Sequence, residues 1–422
     1  MKKILMRAAM SPLESLTPFE MITTNSIGNN MGNMLFPYSV CRTLMTEDTT
    51  IDTIRMNHTF TREEIAKINR EYDYLVLPFA NAFRISFIPE LKCITNLVKG
   101  LRIPCVVVGV GMQAKLGKEL SNAELAEAVK DFVKAILKRS KMLGVRGERT
   151  ADYLQSLGFR PEKHFTVIGC PSLFAYGKDL PKPRINPLTP DSRISTNSKI
   201  SLPQNFHTFL HRTRQEIKNS YYVPQVIEEI YRMYCGMPFP PKFAPKIPEY
   251  FPADFSHPIY TEDRARAFCN VKSWLEFLGQ MDFSTGSRIH GNIAAILAGT
   301  PAYVFVSDQR ILELVEYHHI PYSMISDITD ETSIFDIYEK TDFNQVLDGH
   351  EERFMHYLDF LRKNKLPTIY DKEGNSGRVY FDEKLAELDF APSIHALSAI
   401  PVKEQAERLD AVLGRLKKRA AK

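Results

Sequence analysis

The side chains best suited to chemistry lie where a strand-like segment of the sequence meets a helix-like one. An apolar run ends at Gly286, Arg288 and His290 follow, and a stretch rich in Ala, Ile and Leu begins. The guanidinium and the imidazole are therefore expected at a helix N-terminus, where free N–H groups and the helix dipole favour an anion. Arginine binds carboxylates and phosphates through paired hydrogen bonds, and histidine exchanges protons near neutral pH. This spacing predicts an anionic substrate and proton transfer at one place.

Each of these residues also has a structural interpretation. Arg288 could form a salt bridge that ties the helix start to the sheet, although a cation at this end opposes the helix dipole. His290 could be a buried, hydrogen-bonded histidine, and Asn292 could only stabilise the turn. We favour functional roles for Arg288 and His290, because a residue placed against its local preference usually serves another purpose.

Further motifs follow this pair along the chain. An apolar helix leads to a Gly-x-Pro turn, a strand, an Asp-x-basic stretch and a final Ile-Pro step. The segments are Arg288–His290, Gly299–Pro301, Asp308–Leu314 and Ile320–Pro321. Their order resembles that of the polysaccharide pyruvyl transferase family, in which Lys is usual at the position of Arg310.

The resemblance is thinner in the first half of the chain. Short segments there are similar to the family's N-x-G-D loop, G-x-G strand end, R-x-x-x-S/T helix start and G-x-P-D segment. They are Asn25–Asn29, Val107–Gly111, Arg146–Thr150 and Gly169–Ser172. Asn29 stands where the family has Asp, and the segment Gly169–Ser172 also lacks the family's Asp. The resemblance is strongest in the second half.

The resemblance implies that the enolpyruvate-derived group of phosphoenolpyruvate is transferred to two hydroxyls of a sugar. The product is a cyclic ketal, phosphate is released, and the reaction belongs to exopolysaccharide or cell-surface glycan synthesis. We predict Arg288 and His290 as catalytic residues, with an imidazolium at His290 that protonates the enol carbon or stabilises the departing phosphate. The predicted donor-binding residues are Ser287, Arg288, Ile289, His290 and Asn292. No metal or other cofactor is expected.

Short apolar runs alternate with longer amphipathic ones through the first half of the chain. The predicted strands are Phe19–Thr23, Ile51–Met56, Tyr74–Pro78, Cys105–Val110, Leu143–Val145 and Phe165–Ile168. The predicted helices are Met31–Met45, Arg62–Arg70, Ile88–Leu101, Asn122–Lys138 and Glu148–Leu157. This alternation favours a parallel sheet with helices on both faces, in which ligands bind at the carboxyl ends of the strands.

A proline-rich, aperiodic segment divides the chain, and a second set of α/β elements follows it. These elements include predicted strands at Lys199–Leu202 and Tyr221–Val223 and helices at Thr208–Lys218, Gln225–Tyr234, Lys272–Met281 and Asn344–Lys363. We therefore predict an α/β fold with two Rossmann-like domains that face each other across a cleft, the GT-B-like arrangement that the resemblance also implies. The predicted ranges are 1–177 (first domain, acceptor side), 178–198 (linker), 199–400 (second domain, donor side) and 401–422 (basic C-terminal helix).

A further Arg is expected near the start of the second domain, because the resemblance implies that it helps to hold the donor. The segment Lys199–Pro203 has no Arg at its end. Arg212 and Arg214 are therefore the candidates to replace it.

Polar residues at predicted strand ends of the first domain are candidates for binding the acceptor. Amide side chains offer both donors and acceptors to sugar hydroxyls. The predicted acceptor-binding residues are Asn25, Asn29, Asn30, Gln113 and Arg146. The asparagines could instead serve only as turn and cap residues, and Arg146 could pair with Glu148.

Composition excludes several classes of function. The chain has 422 residues, a net charge of +4 and 25% charged residues, which does not suggest a nucleic-acid partner. Its six cysteines show no metal-ligand spacing, and no apolar run is long enough to span a bilayer. We expect a cytoplasmic enzyme. Its basic C-terminus, which includes Lys417 and Lys418, is a candidate for contact with anionic lipid at the inner face of the membrane, near a lipid-linked oligosaccharide acceptor.

Two other functions stay open. A glycosyltransferase of the same fold would hold the diphosphate of a nucleotide sugar with similar residues, but it would also need a carboxylate for the ribose. The first acid after Arg288 is Asp308, which does not give a clear candidate. An inactive sugar-binding homologue is the other alternative, since Asn29 and the missing second-domain Arg depart from the family pattern.

Overall fold

The computed structural model describes residues 1–113, 122–237, 239, 247–371 and 378–420. The strands in these ranges are β1 (Lys2–Arg7), β2 (Thr49–Ile54), β3 (Tyr74–Pro78), β4 (Cys105–Val108), β5 (Leu143–Val145), β6 (Phe165–Val167), β7 (Ile194–Asn197), β8 (Ser220–Tyr222), β9 (Phe283–Gly286), β10 (Ala302–Val306) and β11 (Tyr322–Met324). The helices are α1 (Pro18–Thr24), α2 (Leu35–Leu44), α3 (Arg62–Glu71), α4 (Ile88–Gly100), α5 (Ala123–Leu137), α6 (Glu148–Ser156), α7 (Gln204–Glu216), α8 (Ile227–Cys235), α9 (Pro258–Thr261), α10 (Val271–Leu278), α11 (Ile289–Leu297), α12 (Gln309–Tyr317), α13 (Ile334–Lys340), α14 (His350–Lys363), α15 (Tyr380–Ala386) and α16 (Val402–Ala420).

The strands form two parallel sheets of the same topology. The first has the order β2-β1-β3-β4, and β5-β6 continues it because the N–H groups of Gly109 and Val110 donate to the Gly144 carbonyl. The second has the order β11-β10-β9-β7-β8. Within each domain the first five strands therefore follow the order 2-1-3-4-5, which reverses direction between the first and third strands. Ligands of such sheets bind at the carboxyl ends of the strands beside that reversal.

Both faces of the first sheet are buried, as its apolar strands predict. Side chains alternate along a strand, so Val76 packs in the core cluster that includes α2, whereas Leu75 and Leu77 pack in the cluster that includes α4 and α5. This arrangement is typical of a parallel sheet between two helical layers. The predicted α/β fold with two Rossmann-like domains in a GT-B-like arrangement is confirmed.

The predicted strand Phe19–Thr23 is wrong, because these residues belong to α1. Thr17 caps this helix through a capping box with Glu20, and Pro18 at its first position favours a helix start. The first strand is instead β1, which pairs with β2 and β3 at the centre of the sheet. The loop Asn25–Asn30 therefore follows a helix rather than a strand.

The predicted strand Lys199–Leu202 is also wrong. The strand lies earlier, at β7, so the second sheet begins inside the segment predicted as the linker. Its sequence is polar, but Ser195 donates to Ser284 Oγ at 2.8 Å and Thr196 donates to the Tyr221 carbonyl at 3.1 Å. These hydrogen bonds allow polar residues to be buried in a central strand.

The other predicted elements lie close to their expected positions. The predicted helix Met31–Met45 begins as a 3-10 turn at Met31–Met34 before it continues as α2, and the predicted helix Asn344–Lys363 becomes regular only at α14. Part of the long connection after α8 lies outside the described residues. None of the helices in the described ranges is long and apolar enough to cross a bilayer.

The C-terminal helices return to the first domain. The side-chain oxygen of Asn364 accepts the N–H groups of Lys141 and Met142, and Arg42 forms a salt bridge of 2.6 Å with Asp382. Helix α16 packs near α1 and α8, where Arg415 donates to the Thr23 carbonyl. The chain therefore crosses between the two sheets a second time.

Candidate active site

A cavity of about 920 Å³ lies between the carboxyl ends of the two sheets. Its lining comes from the loops after β1, β2, β3 and β4 on one side and after β7, β8, β9 and β10 on the other. The strand reversals of both domains therefore face the same cavity. This is the place where the fold favours ligand binding.

Arg288 lies at the N-cap of α11 and lines the cavity. Its backbone N–H donates to Asn197 Oδ1 at 2.7 Å, and its Nε donates to the Ser198 carbonyl at 2.8 Å. One terminal nitrogen lies 3.6 Å from a carboxylate oxygen of Glu229. The structural and functional interpretations of Arg288 are thus compatible, since these contacts fix the guanidinium at the edge of the cavity.

Glu229 is buried beside this guanidinium. Its carboxylate accepts the Tyr222 hydroxyl at 3.1 Å. Burial raises the pKa of Glu229 to about 7, and the nearby positive charge of Arg288 offsets part of this effect. Sequence reasoning missed Glu229, because a Glu in the first turn of a helix is ordinary.

His290 lies two residues after Arg288, in the first turn of α11, and it also lines the cavity. Its Nε2 is 3.8 Å from Cys170 Sγ, and its ring meets the ring of Phe36 edge to face at 5.4 Å. Burial lowers the pKa of His290 well below its usual value, and the charges of Arg146 and Arg310 lower it further. The surrounding protein therefore favours the neutral ring, and an imidazolium requires an anion beside it.

The second domain supplies a cation that the sequence did not single out. Lys199 lies after β7, and its Nζ donates to Ser307 Oγ at 2.9 Å and to Asp308 Oδ2 at 3.0 Å. Burial lowers the pKa of Lys199 to about 8, against the opposing effect of Asp308. Arg310 also contacts Asp308, at 3.3 Å. Lys199, Asp308 and Arg310 all line the cavity.

Lys199 stands near the place where a second-domain Arg was expected. The candidates Arg212 and Arg214 do not line the cavity in the described part of the chain. Arg212 donates to the carbonyls of Thr329 and Thr332, and Arg214 donates to the Tyr250 carbonyl. The guanidinium groups of both residues therefore form hydrogen bonds with backbone carbonyls rather than face the cavity.

The other residues predicted to bind the donor divide into two groups. Ile289 lines the cavity at the start of α11. Ser287 is buried behind the turn and Asn292 donates to the carbonyls of Gly286 and Arg288, so neither lines the described cavity. Asn292 therefore has the turn-stabilising position that the sequence left open.

The amides predicted to bind the acceptor all line the cavity: Asn25, Asn29, Asn30 and Gln113. Several also form local structure. Asn25 donates to Asn29 Oδ1 at 2.7 Å, Asn30 caps the 3-10 turn after it, and Gln113 accepts from Asn81 at 2.6 Å. The asparagines therefore also serve as turn and cap residues, which was the alternative interpretation of the sequence.

Arg146 is closed off from the cavity. It is completely buried, its guanidinium lies 4.7 Å from the centre of the Phe36 ring, and its side-chain nitrogens have no hydrogen-bond partner in the described structure. Burial lowers its pKa to about 10. Arg146 thus lies behind Phe36 and His290 rather than among the amides of the acceptor side.

Sequence reasoning also missed the arginines of the first domain. Arg7 and Arg84 line the cavity, at the end of β1 and after β3. The signal for Arg7 was present, because an apolar run ends at this residue near the N-terminus. Among the described residues, no cluster of three or more His, Cys, Asp or Glu side chains could hold a metal ion.

Several solved structures are similar to this chain at low identity. MnaA from S. aureus with UDP has 13% identity, coverage of 92% of this chain and 99% of that chain, and a TM-score of 0.39. The UDP-GlcNAc 2-epimerase of Methanocaldococcus jannaschii has 10% identity, coverage of 86% and 99%, and a TM-score of 0.43. Anabaena Alr3699/HepE with UDP and glucose has 10% identity, coverage of 92% and 100%, and a TM-score of 0.44. At these scores the likenesses carry no functional argument.

The family comparison is more specific. No curated protein sequence shows a significant match to the chain. The family model for polysaccharide pyruvyl transferase matches residues 30–309, which is more than half of the chain and includes the Arg288–His290 motif. The chain therefore belongs to the polysaccharide pyruvyl transferase family.

Proposed function

We propose that this protein transfers the pyruvate-derived group of phosphoenolpyruvate to two hydroxyls of a sugar and forms a cyclic ketal. The observation that carries the proposal is that Arg288 and His290, at the N-terminus of α11, line the same cavity as Lys199, which follows β7. Phosphoenolpyruvate has a carboxylate and a phosphate, and each needs cationic or N–H donors. Two cations and a helix N-terminus meet that requirement.

The reaction requires a proton on the methylene carbon of the donor. Protonation makes the neighbouring carbon electrophilic, one sugar hydroxyl adds to it, and a second hydroxyl displaces phosphate. Of the two hydroxyl protons released, one balances the proton given to carbon and the other leaves with phosphate. His290 is the residue that we propose for this proton transfer, because a bound phosphate or carboxylate would raise the pKa that burial lowers.

We propose that the first domain binds the acceptor. Four amides of that domain, Asn25, Asn29, Asn30 and Gln113, line the same cavity as Arg288. We also propose that the reaction serves exopolysaccharide or cell-surface glycan synthesis in the cytoplasm. Contact of α16 with anionic lipid at the inner face of the membrane is part of this proposal, supported by exposed Leu413 beside Lys417 and Lys418.

A nucleotide-sugar glycosyltransferase is the main alternative, since the same cations could bind a diphosphate. The acid that the second domain contributes to the described lining, Asp308, already contacts Lys199 and Arg310. It is therefore a poor partner for the hydroxyls of a ribose. This observation favours the pyruvyl transfer.

The test is incubation of the purified protein with phosphoenolpyruvate and a panel of saccharides, with phosphate release and product mass as readouts. Phosphate release that depends on the saccharide, with a pyruvate ketal in the product, supports the proposal. Parallel reactions with nucleotide sugars test the alternative. Glycosyl transfer from a nucleotide sugar without any turnover of phosphoenolpyruvate would overturn the proposed function.

A further inference from the structure

The first domain presents arginines to the cavity that the proposed donor site does not use. Arg7 and Arg84 both line it, and the Nε of each is buried without a hydrogen-bond partner in the described structure. Arg7 reaches the Pro78 carbonyl only at 3.5 Å. By contrast, Arg55 donates to the carbonyls of Ala9 and Thr24 and is occupied in holding this loop. The guanidinium of Arg7 packs 4.8 Å from the centre of the Phe79 ring and that of Arg84 packs 5.3 Å from the centre of the Phe87 ring, so their terminal nitrogens are the donors left for a ligand.

The charge of the cavity is strongly unbalanced. In the described lining, six cations, Arg7, Arg55, Arg84, Lys199, Arg288 and Arg310, accompany only two acids, Glu90 and Asp308. Asp308 is engaged by its neighbours in the second domain, which leaves Glu90 as the acid of the first domain. Burial lowers the pKa of Arg7 to about 10, the charge of Arg84 lowers it further, and the charge of Glu90 opposes both effects. Two arginines beside one carboxylate keep a net positive charge, which favours a further anion.

The two domains place their cations at equivalent points. In the second domain Lys199 follows β7 and Arg288 follows β9, which are the first and third strands of that sheet. In the first domain Arg7 ends β1 and Arg84 follows β3, again the first and third strands. Each sheet thus presents a pair of cations at its own strand reversal. One pair serves the donor under the proposed function. The other pair has only the carboxylate of Glu90 nearby, which offsets one of its two charges.

We infer that the acceptor is a phosphate-bearing saccharide whose phosphate binds at Arg7 and Arg84. This inference rests on the proposed function. The cavity of about 920 Å³ lies near the upper end of the range of about 300–1,000 Å³ typical for one ligand, which leaves room for donor and acceptor together. A sugar phosphate, a nucleotide sugar and a saccharide linked to a lipid by diphosphate all share this chemistry. The neighbouring amides Asn25 and Gln113 would then bind the sugar hydroxyls.

The first experiment compares free hexoses with the matching hexose 1-phosphates as acceptors, at saturating phosphoenolpyruvate. We expect kcat/KM to be about tenfold or more higher for the phosphate esters, because charge-assisted hydrogen bonds are the strong ones. UDP-hexoses and a hexose linked to undecaprenyl diphosphate in detergent separate the sources of the phosphate. Equal kcat/KM for free and phosphorylated acceptors of every kind would overturn the inference while leaving the proposed function intact.

The second experiment uses Arg84→Gln, with Arg102→Gln as the control because Arg102 is exposed outside the cavity. Arg84→Gln should raise the acceptor KM about tenfold for the phosphate ester and leave the KM for phosphoenolpyruvate within about twofold. Arg102→Gln should change neither. An equal rise in both KM values would assign Arg84 to the donor and contradict the inference.

Direct calorimetric binding of hexose 1-phosphates separates this inference from the proposed function. Binding that Arg84→Gln weakens, in a protein that does not turn over phosphoenolpyruvate, would support the phosphate site and count against pyruvyl transfer. Thermal unfolding of each variant verifies that it is folded. Because Arg7 is the more deeply placed of the two, Arg7→Lys rather than Arg7→Gln is the second variant, and it should show a smaller rise in the acceptor KM than Arg84→Gln.

Discussion

At the scale of single residues, the environment of His290 matters as much as its identity. A histidine at a helix start suggests an acid or base, but burial and two nearby arginines favour its neutral form. A ring of this kind becomes a proton donor only when an anion arrives. Proton transfer and donor binding are therefore coupled under the proposed mechanism, which limits protonation to the occupied site.

Substitution of His290 tests this coupling. His290→Gln keeps a hydrogen-bonding side chain but cannot deliver a proton, so turnover should fall by about 10²–10⁴-fold. The affinity for phosphoenolpyruvate, measured by calorimetry, should change much less. A Gln variant with near-normal turnover would reduce His290 to an orienting role.

Lys199 should give donor binding a characteristic pH dependence. Its pKa of about 8 means that its positive charge is lost as the pH rises through that value. The KM for phosphoenolpyruvate should therefore rise above about pH 8 in the wild type, whereas Lys199→Arg, which stays charged, should show a flat profile. Lys182→Arg, an exposed position, is the matched control. Parallel profiles for wild type and Lys199→Arg would remove Lys199 from the donor site.

At the scale of elements, the site depends on how closely the 3-10 turn at Met31–Met34 approaches α11. Gly32 has no side chain, and a Cβ there would lie 2.7 Å from the Cβ of His290. That atom cannot move away easily, because it is fixed to the helix backbone. The glycine therefore sets the position of the imidazole relative to the first domain.

Gly32→Ala should accordingly move the start of α11 and lower turnover. The free energy of unfolding should be affected less than the turnover. Gly414→Ala in α16 is the control, since in the described structure the added Cβ meets nothing within 4 Å beyond its chain neighbours and its own helix backbone. There the substitution should stabilise by about 0.5–1 kcal/mol through helix propensity. Steady-state kinetics and thermal unfolding measure both effects. Unchanged kinetics in Gly32→Ala would show that the contact does not position His290.

The accuracy of sequence-based prediction followed the strength of the local signals. The turn from β9 into α11 was predictable. A strand ends at Gly286, and a helix rich in Ala, Ile and Leu begins three residues later. The residues of α1 were predicted as a strand because Phe, Ile and Thr favour strands. The signal for a helix was the capping box that Thr17 and Glu20 form. It missed β7 because only tertiary hydrogen bonds make that polar strand buried.

The composition of the site was harder to predict than its location. Arg288 and His290 could be found because only Ile289 separates them in the sequence. Lys199, Arg7 and Arg84 come from separate loops, and only the common topology of the two sheets brings them to one cavity. The sequence therefore predicted four amides and Arg146 on the side of the first domain, whereas the structure lines the cavity with Arg7 and Arg84 there and buries Arg146.

At the scale of the whole molecule, a buried contact joins the two domains next to the site. Glu313 in α12 accepts the N–H of Thr150 at 3.0 Å and its hydroxyl at 3.0 Å, at the start of α6 in the first domain. Arg310, which lines the cavity, lies one turn earlier on the same helix. The interdomain contact and the cavity therefore share one rigid element.

This contact should make stability depend on pH. Burial raises the pKa of Glu313 from 4.5 to about 7, against the opposing hydrogen bonds from Thr150. The folded state then binds its proton more tightly than the unfolded state, so the contribution is complete below about pH 4.5 and is lost as the pH rises through about 7. Glu313→Gln removes the titration and should flatten the fall in stability across that window by about 1–3 kcal/mol. Glu127→Gln, at an exposed position on α5, should leave the fall unchanged. Urea unfolding at a series of pH values measures the difference. If the free energy of unfolding depends on pH equally in Glu313→Gln and the wild type, the pKa of Glu313 is not raised in the folded protein.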